Sequence, residues 1–97
     1  MNNHYTVAGL RRTGYKVRVN HYRYYGNKLL QKFEVQYGSQ PNSRGGMTAI
    51  EITTPENWKL SGYAECSEKD AYNRKLGVKI ALNRAMTTEF IRDGNLD

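Results

Sequence analysis

The chain reads as an α+β domain, a four- or five-stranded antiparallel sheet with one long C-terminal helix packed across it. Three observations predict this. Apolar and polar residues alternate through much of the first two thirds, the period changes to that of a helix in the last third, and 97 residues suffice for one modest core. The expected organisation is therefore a single domain over residues 1–97. Only 38% of the residues are hydrophobic, but eight tyrosines with Phe33, Phe90 and Trp58 exceed the aromatic content of a solvating tail.

The elements follow in order. His4 to Ala8 is a short run ahead of Gly9 that can add an edge strand, with Arg11-Arg12-Thr13-Gly14 as its turn. Tyr15, Val17, Val19 and His21 then alternate with Lys16, Arg18, Asn20 and Tyr22, the pattern of a strand with one buried face. Gly26-Asn27 is a turn, and Phe33, Val35 and Tyr37 alternate with Lys32, Glu34 and Gln36, so the two runs are expected to pair as a hairpin. Gly38 to Gly46 holds little that can pack and one cation, Arg44, and is expected as a mobile loop. Met47 to Thr54 is rich in β-branched residues, Pro55-Glu56-Asn57 breaks it, and Leu60 to Cys66 alternates again, which predicts a second hairpin.

Ser67 is a favourable N-cap, and Glu68 and Asp70 place negative charge where a helix dipole favours it, so the long helix is expected to start there. Ala71, Val78, Leu82 and Ala85 share one stripe, with Tyr72, Leu76 and Ile80 beside it. The helix is expected to bury Ala71, Tyr72, Val78, Leu82 and Ala85 against Val17, Val19, Phe33, Val35, Ile50 and Ile52. Gly77 costs about 1 kcal/mol relative to Ala inside a helix, which marks a kink or a close backbone approach. Arg92 and Gly94 resemble a C-terminal stop.

Charge is distributed unevenly. Eight basic residues face Glu34 alone between Met1 and Ile50, whereas seven basic and eight acidic residues follow from Glu51 to Asp97, for an overall formal charge of +6. With Val17 and Val19 turned inward, Lys16, Arg18, Asn20, Tyr22 and Tyr24 share the opposite face of their strand. Cations interleaved with flat rings track a phosphate backbone and stack bases. The same composition also solvates an open antiparallel face. Arg11, Arg12, Arg23 and Arg44 extend the basic set. Lys75 and Lys79, four apart on the helix, either form an edge for phosphate or carboxylate or rim the packed face.

Catalytic chemistry is poorly supplied, and no cofactor or metal is expected. Cys66 is the only cysteine, so it forms no internal disulfide and builds no zinc site alone. At a helix N-terminus near His21 it would have nucleophilic potential, but its phase continues Leu60 and Ala64 into the core. Glu51 and Glu65, on adjacent predicted strands, are either a carboxylate pair or ordinary exposed acids. Gly45-Gly46 lacks the Lys-Ser or Lys-Thr of a phosphate loop. No apolar run has the length of a membrane span, and the polar start Met1-Asn2-Asn3-His4 is unlike a signal peptide, so an intracellular protein that binds without turnover is expected.

The stretch from Ala64 to Ala85 resembles a segment that recurs in small proteins of bacteriophages and mobile elements. Its spine is a strand ending in Cys66, then Lys69-Asp70, Tyr72, Arg74-Lys75, Gly77, Ile80-Ala81 and Arg84-Ala85. The resemblance implies a phage accessory protein, a class rich in stoichiometric inhibitors of host machinery such as anti-CRISPR proteins. Its implied partner is a host protein or ribonucleoprotein complex in the bacterial cytoplasm, with direct RNA or DNA contact possible and no membrane role. A plain nucleic-acid-binding module is the alternative, and an edge strand at His4 to Ala8 would allow a homodimer. Through Ser67, Lys69, Asp70 and Ala71 the stretch is also similar to the last helix of double-stranded RNA-binding domains. That fold has an N-terminal helix where this chain reads as strand.

Overall fold

Alternation between two environments is what holds Val17, Ile50, Ile52, Leu60 and Ala64 in one layer: each is buried, while most of their neighbours along the strands are exposed. The computed structural model describes residues 5–95, with side chains to residue 87. Helix α1 (Val7–Arg12) leads into strand β1 (Lys16–Tyr25) and a short β2 (Lys28–Gln31). Strands β3 (Arg44–Thr53) and β4 (Lys59–Ala71) follow, and helix α2 (Arg74–Asn95) ends the described chain. The sheet order is β2-β1-β3-β4, antiparallel throughout, so the expected α+β architecture is the one observed, with four strands.

Register places Val17 opposite Ile52, Val19 opposite Ile50 and His21 opposite Thr48, all on the face that α2 covers. There Ala81, Leu82, Ala85 and Met86 of α2 and Leu10 of α1 complete the core. The helix lies close against the sheet. A side chain at Gly62 would strike the backbone of Ala81 and Ala85, and one at Gly77 would strike the Thr48 hydroxyl. Of the kink and the close approach that Gly77 inside a helix suggested, the close approach is the one observed.

Several expectations need correction. Val7 and Ala8 are helical, since the Thr6 hydroxyl accepts from the Gly9 amide and caps α1. The edge strand expected at His4 to Ala8 is therefore absent among the described residues, and His4 lies outside them. The hairpin partner of β1 is Lys28–Gln31, immediately after the Gly26-Asn27 turn, and Lys32–Glu34 forms a turn of 3-10 helix instead of continuing it. Phe33 and Tyr37 are consequently exposed, at 80% and 102%, and join no core. Arg44 to Gly46 belong to β3, not to the preceding loop.

The start of the long helix also moves. β4 runs on through Ser67 and Asp70 to Ala71, which pairs with Arg44 past a bulge, and Asn73 caps α2 by accepting from the Leu76 amide at 3.0 Å. Ala71 and Tyr72 thus precede the helix. Ser67, Lys69, Asp70 and Ala71, which carry the similarity to double-stranded RNA-binding domains, lie on a strand and not on the last helix, whereas Val7–Arg12 does supply an N-terminal helix where the sequence reads as strand. The stop expected at Arg92 and Gly94 falls in the last turn of α2, whose backbone is helical to Asn95.

Candidate functional site

Both helices pack on one face of the sheet, and neither covers the opposite face. The pleat sends alternate residues there. Register sets them in rows across the strands: Lys16, Thr53 and Lys59; Arg18, Glu51 and Ser61; Asn20, Ala49 and Tyr63; Gln31, Tyr22, Met47 and Glu65. Leu29 and Tyr24 extend the face beside Gly45, whose missing side chain lets the Tyr24 ring lie across the backbone. The surface is polarised. Lys16, Arg18 and Lys59 gather at one end, and Tyr22, Tyr24, Leu29 and Met47 at the other, with Tyr63 on the outer strand between them and 55% exposed.

Small side chains at Ala49 and Ser61 leave the centre of this face low, so the rings stand as its walls. The Tyr22 hydroxyl accepts from Gln31 Nε2 at 3.3 Å, which ties the ring to its cross-strand neighbour. Arg18 Nη1 lies 3.7 Å from Glu51 Oε1, an exposed pair whose mutual attraction is slight and screened by salt. Glu51 and Glu65 are not a carboxylate pair, because they occupy different rows separated by that of Ala49 and Tyr63.

Of the predicted binding residues, Lys16, Arg18, Tyr22 and Tyr24 share the uncovered face. The others lie elsewhere. Arg11 Nη2 donates to the Val17 carbonyl at 2.7 Å, on the stretch of β1 that β2 is too short to cover, and Arg12 is exposed on α1. Arg44 Nη1 donates to the Lys69 carbonyl at 2.9 Å, bridging the ends of β3 and β4. Arg23 is on the helix-covered side, its guanidinium 4.4 Å from the centre of the Tyr72 ring. Lys75 and Lys79 project from α2 on that same side. Lys59, Tyr63 and Met47 complete the uncovered face and were not anticipated, although Tyr63 has the outward phase between Leu60 and Ala64.

The helix-covered side holds a partly buried polar cluster. The Tyr72 hydroxyl donates to the Met47 carbonyl at 3.2 Å and stands 2.7 Å from both His21 Nδ1 and Thr48 Oγ1. All three contacts are satisfied when His21 carries its proton on Nδ1 and Thr48 donates its hydroxyl. Burial, then the charges of Arg74 and Arg23, hold the His21 pKa below 6.5. His21 and Cys66 do not form a hydrogen-bonded pair. The Cys66 thiol instead lies 3.4–3.6 Å from the carbonyls of Ser67, Asp70 and Ala71, in a hollow under the start of α2.

Among the described residues no group of three or more potential metal ligands occurs, and no helix is long and apolar enough to cross a membrane. Comparison with known protein families, curated proteins and solved structures finds no match to this chain.

Proposed function

We propose that the protein binds single-stranded nucleic acid across the uncovered face of its sheet. One observation supports this above others: three tyrosines stand on the sheet face that neither helix covers, with Lys16, Arg18 and Lys59 gathered at its end. Base–aromatic stacking contributes about 1–3 kcal/mol per base, and cations nearby hold the phosphates. A strand laid across this surface would stack bases on Tyr22, Tyr24 and Tyr63 and lead its backbone towards the lysines. Nothing in the arrangement reads a base edge, so weak sequence preference belongs to the reading.

Fluorescence anisotropy with labelled dT and rU oligonucleotides tests it. Binding should weaken steeply with salt, Tyr22→Ala and Tyr63→Ala should each cost roughly tenfold, and Tyr→Phe should retain most affinity. Glu51→Gln should tighten binding by removing a negative charge that repels phosphates from the face. Absence of binding at low salt, or indifference to Tyr22 and Tyr63, would end the reading. Carboxylates on the face, Glu51 and Glu65, with Glu68 beside Tyr24, favour a second reading in which the same surface grips a host nucleic-acid-handling complex and inhibits it in the cytoplasm. Capture from host lysate that survives nuclease would favour that reading over direct nucleic-acid binding.

A further inference from the structure

The opposite side of the molecule carries a second surface with different chemistry. Tyr5 and Val7 form one wall of a trough and Val78 of α2 the other, with the buried Leu82 beneath and Lys75 and Lys79 along the helical rim. The trough continues past Lys75 and Val78 into a shallow hollow bordered by His21 and Arg74. Lys75 to Asn83 spans eight helical steps, about 12 Å. Its volume, ≈ 390 Å³, falls in the ~300–1,000 Å³ range of ligand sites. Among the described residues the cations are uncompensated: no carboxylate lines either part, and Arg74, Lys75 and Lys79 form no ion pair. Arg23 adds its charge nearby, held by the Asn42 carbonyl at 2.8 Å and by the Tyr72 ring.

We infer that this trough docks a short acidic, amphipathic segment of a partner protein, its apolar side chains between Tyr5, Val7 and Val78 and its carboxylates against Lys75, Lys79 and Arg74. Charge complementarity selects the occupant. Between Thr6 and Asn83 the accessible apolar lining is Tyr5, Val7 and Val78, which suits leucine-like side chains and offers bases only one flat ring to stack on. A trough of 12 Å takes about two helical turns of a partner, the span of anchors at i, i+4 and i+7.

The test is an NMR titration of the full chain, labelled with nitrogen-15, using a 12-residue peptide with Leu at i, i+4 and i+7 and Glu between, with the Lys-for-Glu peptide and dT8 in parallel. The acidic peptide should shift Val7, Lys75, Val78, Lys79 and Leu82 and leave Tyr22 and Tyr63 unmoved. Lys75→Glu with Lys79→Glu should weaken it at least tenfold while the spectrum stays folded, both side chains being exposed. Tyr22→Ala and Tyr63→Ala should leave peptide binding intact, so failure of the sheet-face reading and failure of this one remain separable. No shifts at millimolar acidic peptide, equal binding of the lysine peptide, or dT8 shifting the trough in place of the sheet face would overturn the inference.

Discussion

At the scale of single residues, the contact with most consequence joins His21 and Tyr72, 51 positions apart, through a 2.7 Å hydrogen bond that Thr48 shares. Proton uptake places a cation on His21 beside Arg74 and Arg23 in a partly desolvated position, which is why its pKa is lowered. The unfolded chain therefore takes up this proton near pH 6.5, and the folded chain only at lower pH. Between those values the unfolded state binds more protons, so the stability present above pH 6.5 is lost as pH falls towards the folded pKa. The thermal midpoint should drop from pH 7 to pH 5 more steeply in the natural chain than in His21→Asn. Arg74→Gln should make the slope shallower by removing one of the repelling charges. Equal slopes in all three would show that His21 titrates as it does unfolded. The sequence places His21 on the inward side of its strand, but periodicity carries no information about a partner half the chain away.

At the scale of elements, local patterns located most strands and misjudged their ends. Ser67 and Asp70 have the chemistry of a helix start, yet β4 continues because Arg44 and Ala71 pair across the bulge at Gly45 and Gly46. Gly46 has φ +141° and the Tyr72 ring stands where its Cβ would be, so this corner admits no side chain. Phe33, Val35 and Tyr37 alternate as a strand would, but the two-residue turn at Gly26-Asn27 fixes the pairing to Lys28–Gln31 and leaves them no partner. The exposed edges are those of β2 and β4 in place of the expected His4 to Ala8, and Arg84 covers the Tyr63 carbonyl on β4 at 2.9 Å. Helix-to-sheet distance is set by glycine. Gly62→Ala should cost about 1–3 kcal/mol because the obstacle is the backbone of α2, lowering the midpoint by about 4–8 °C per kcal/mol. Gly77→Ala should cost less, since a helical alanine offsets about 1 kcal/mol of the clash with the Thr48 hydroxyl. Calorimetry that found Gly62→Ala neutral would mean that α2 sits farther from the sheet than described.

At the scale of the whole molecule, folding redistributes a charge imbalance that looked like a property of the first fifty residues. The basic first half supplies Lys16 and Arg18 to the uncovered face but Arg23 to the other, while the nearly neutral second half supplies Lys59 to the first and Arg74, Lys75 and Lys79 to the second. Strand phase made the aromatic face legible in the sequence. The trough was not, because its walls come from opposite ends of the chain and only the packing of α1 on β1 and of α2 on β3 and β4 brings them together. Two cationic surfaces on opposite faces of one sheet lead to a prediction that neither makes alone. A strand on the tyrosine face and an acidic peptide in the trough should bind the same molecule at once. The two anions repel, but the sheet and the helix layer lie between them, and at 0.15 M salt the screening length is about 8 Å. Saturating dT8 should therefore change peptide affinity by less than about twofold at that salt, with the weakening growing as salt is lowered, and the coupling should be the same when the order of addition is reversed. Mutual exclusion at 0.15 M salt would mean that both ligands compete for one surface, and the two-faced arrangement would fall.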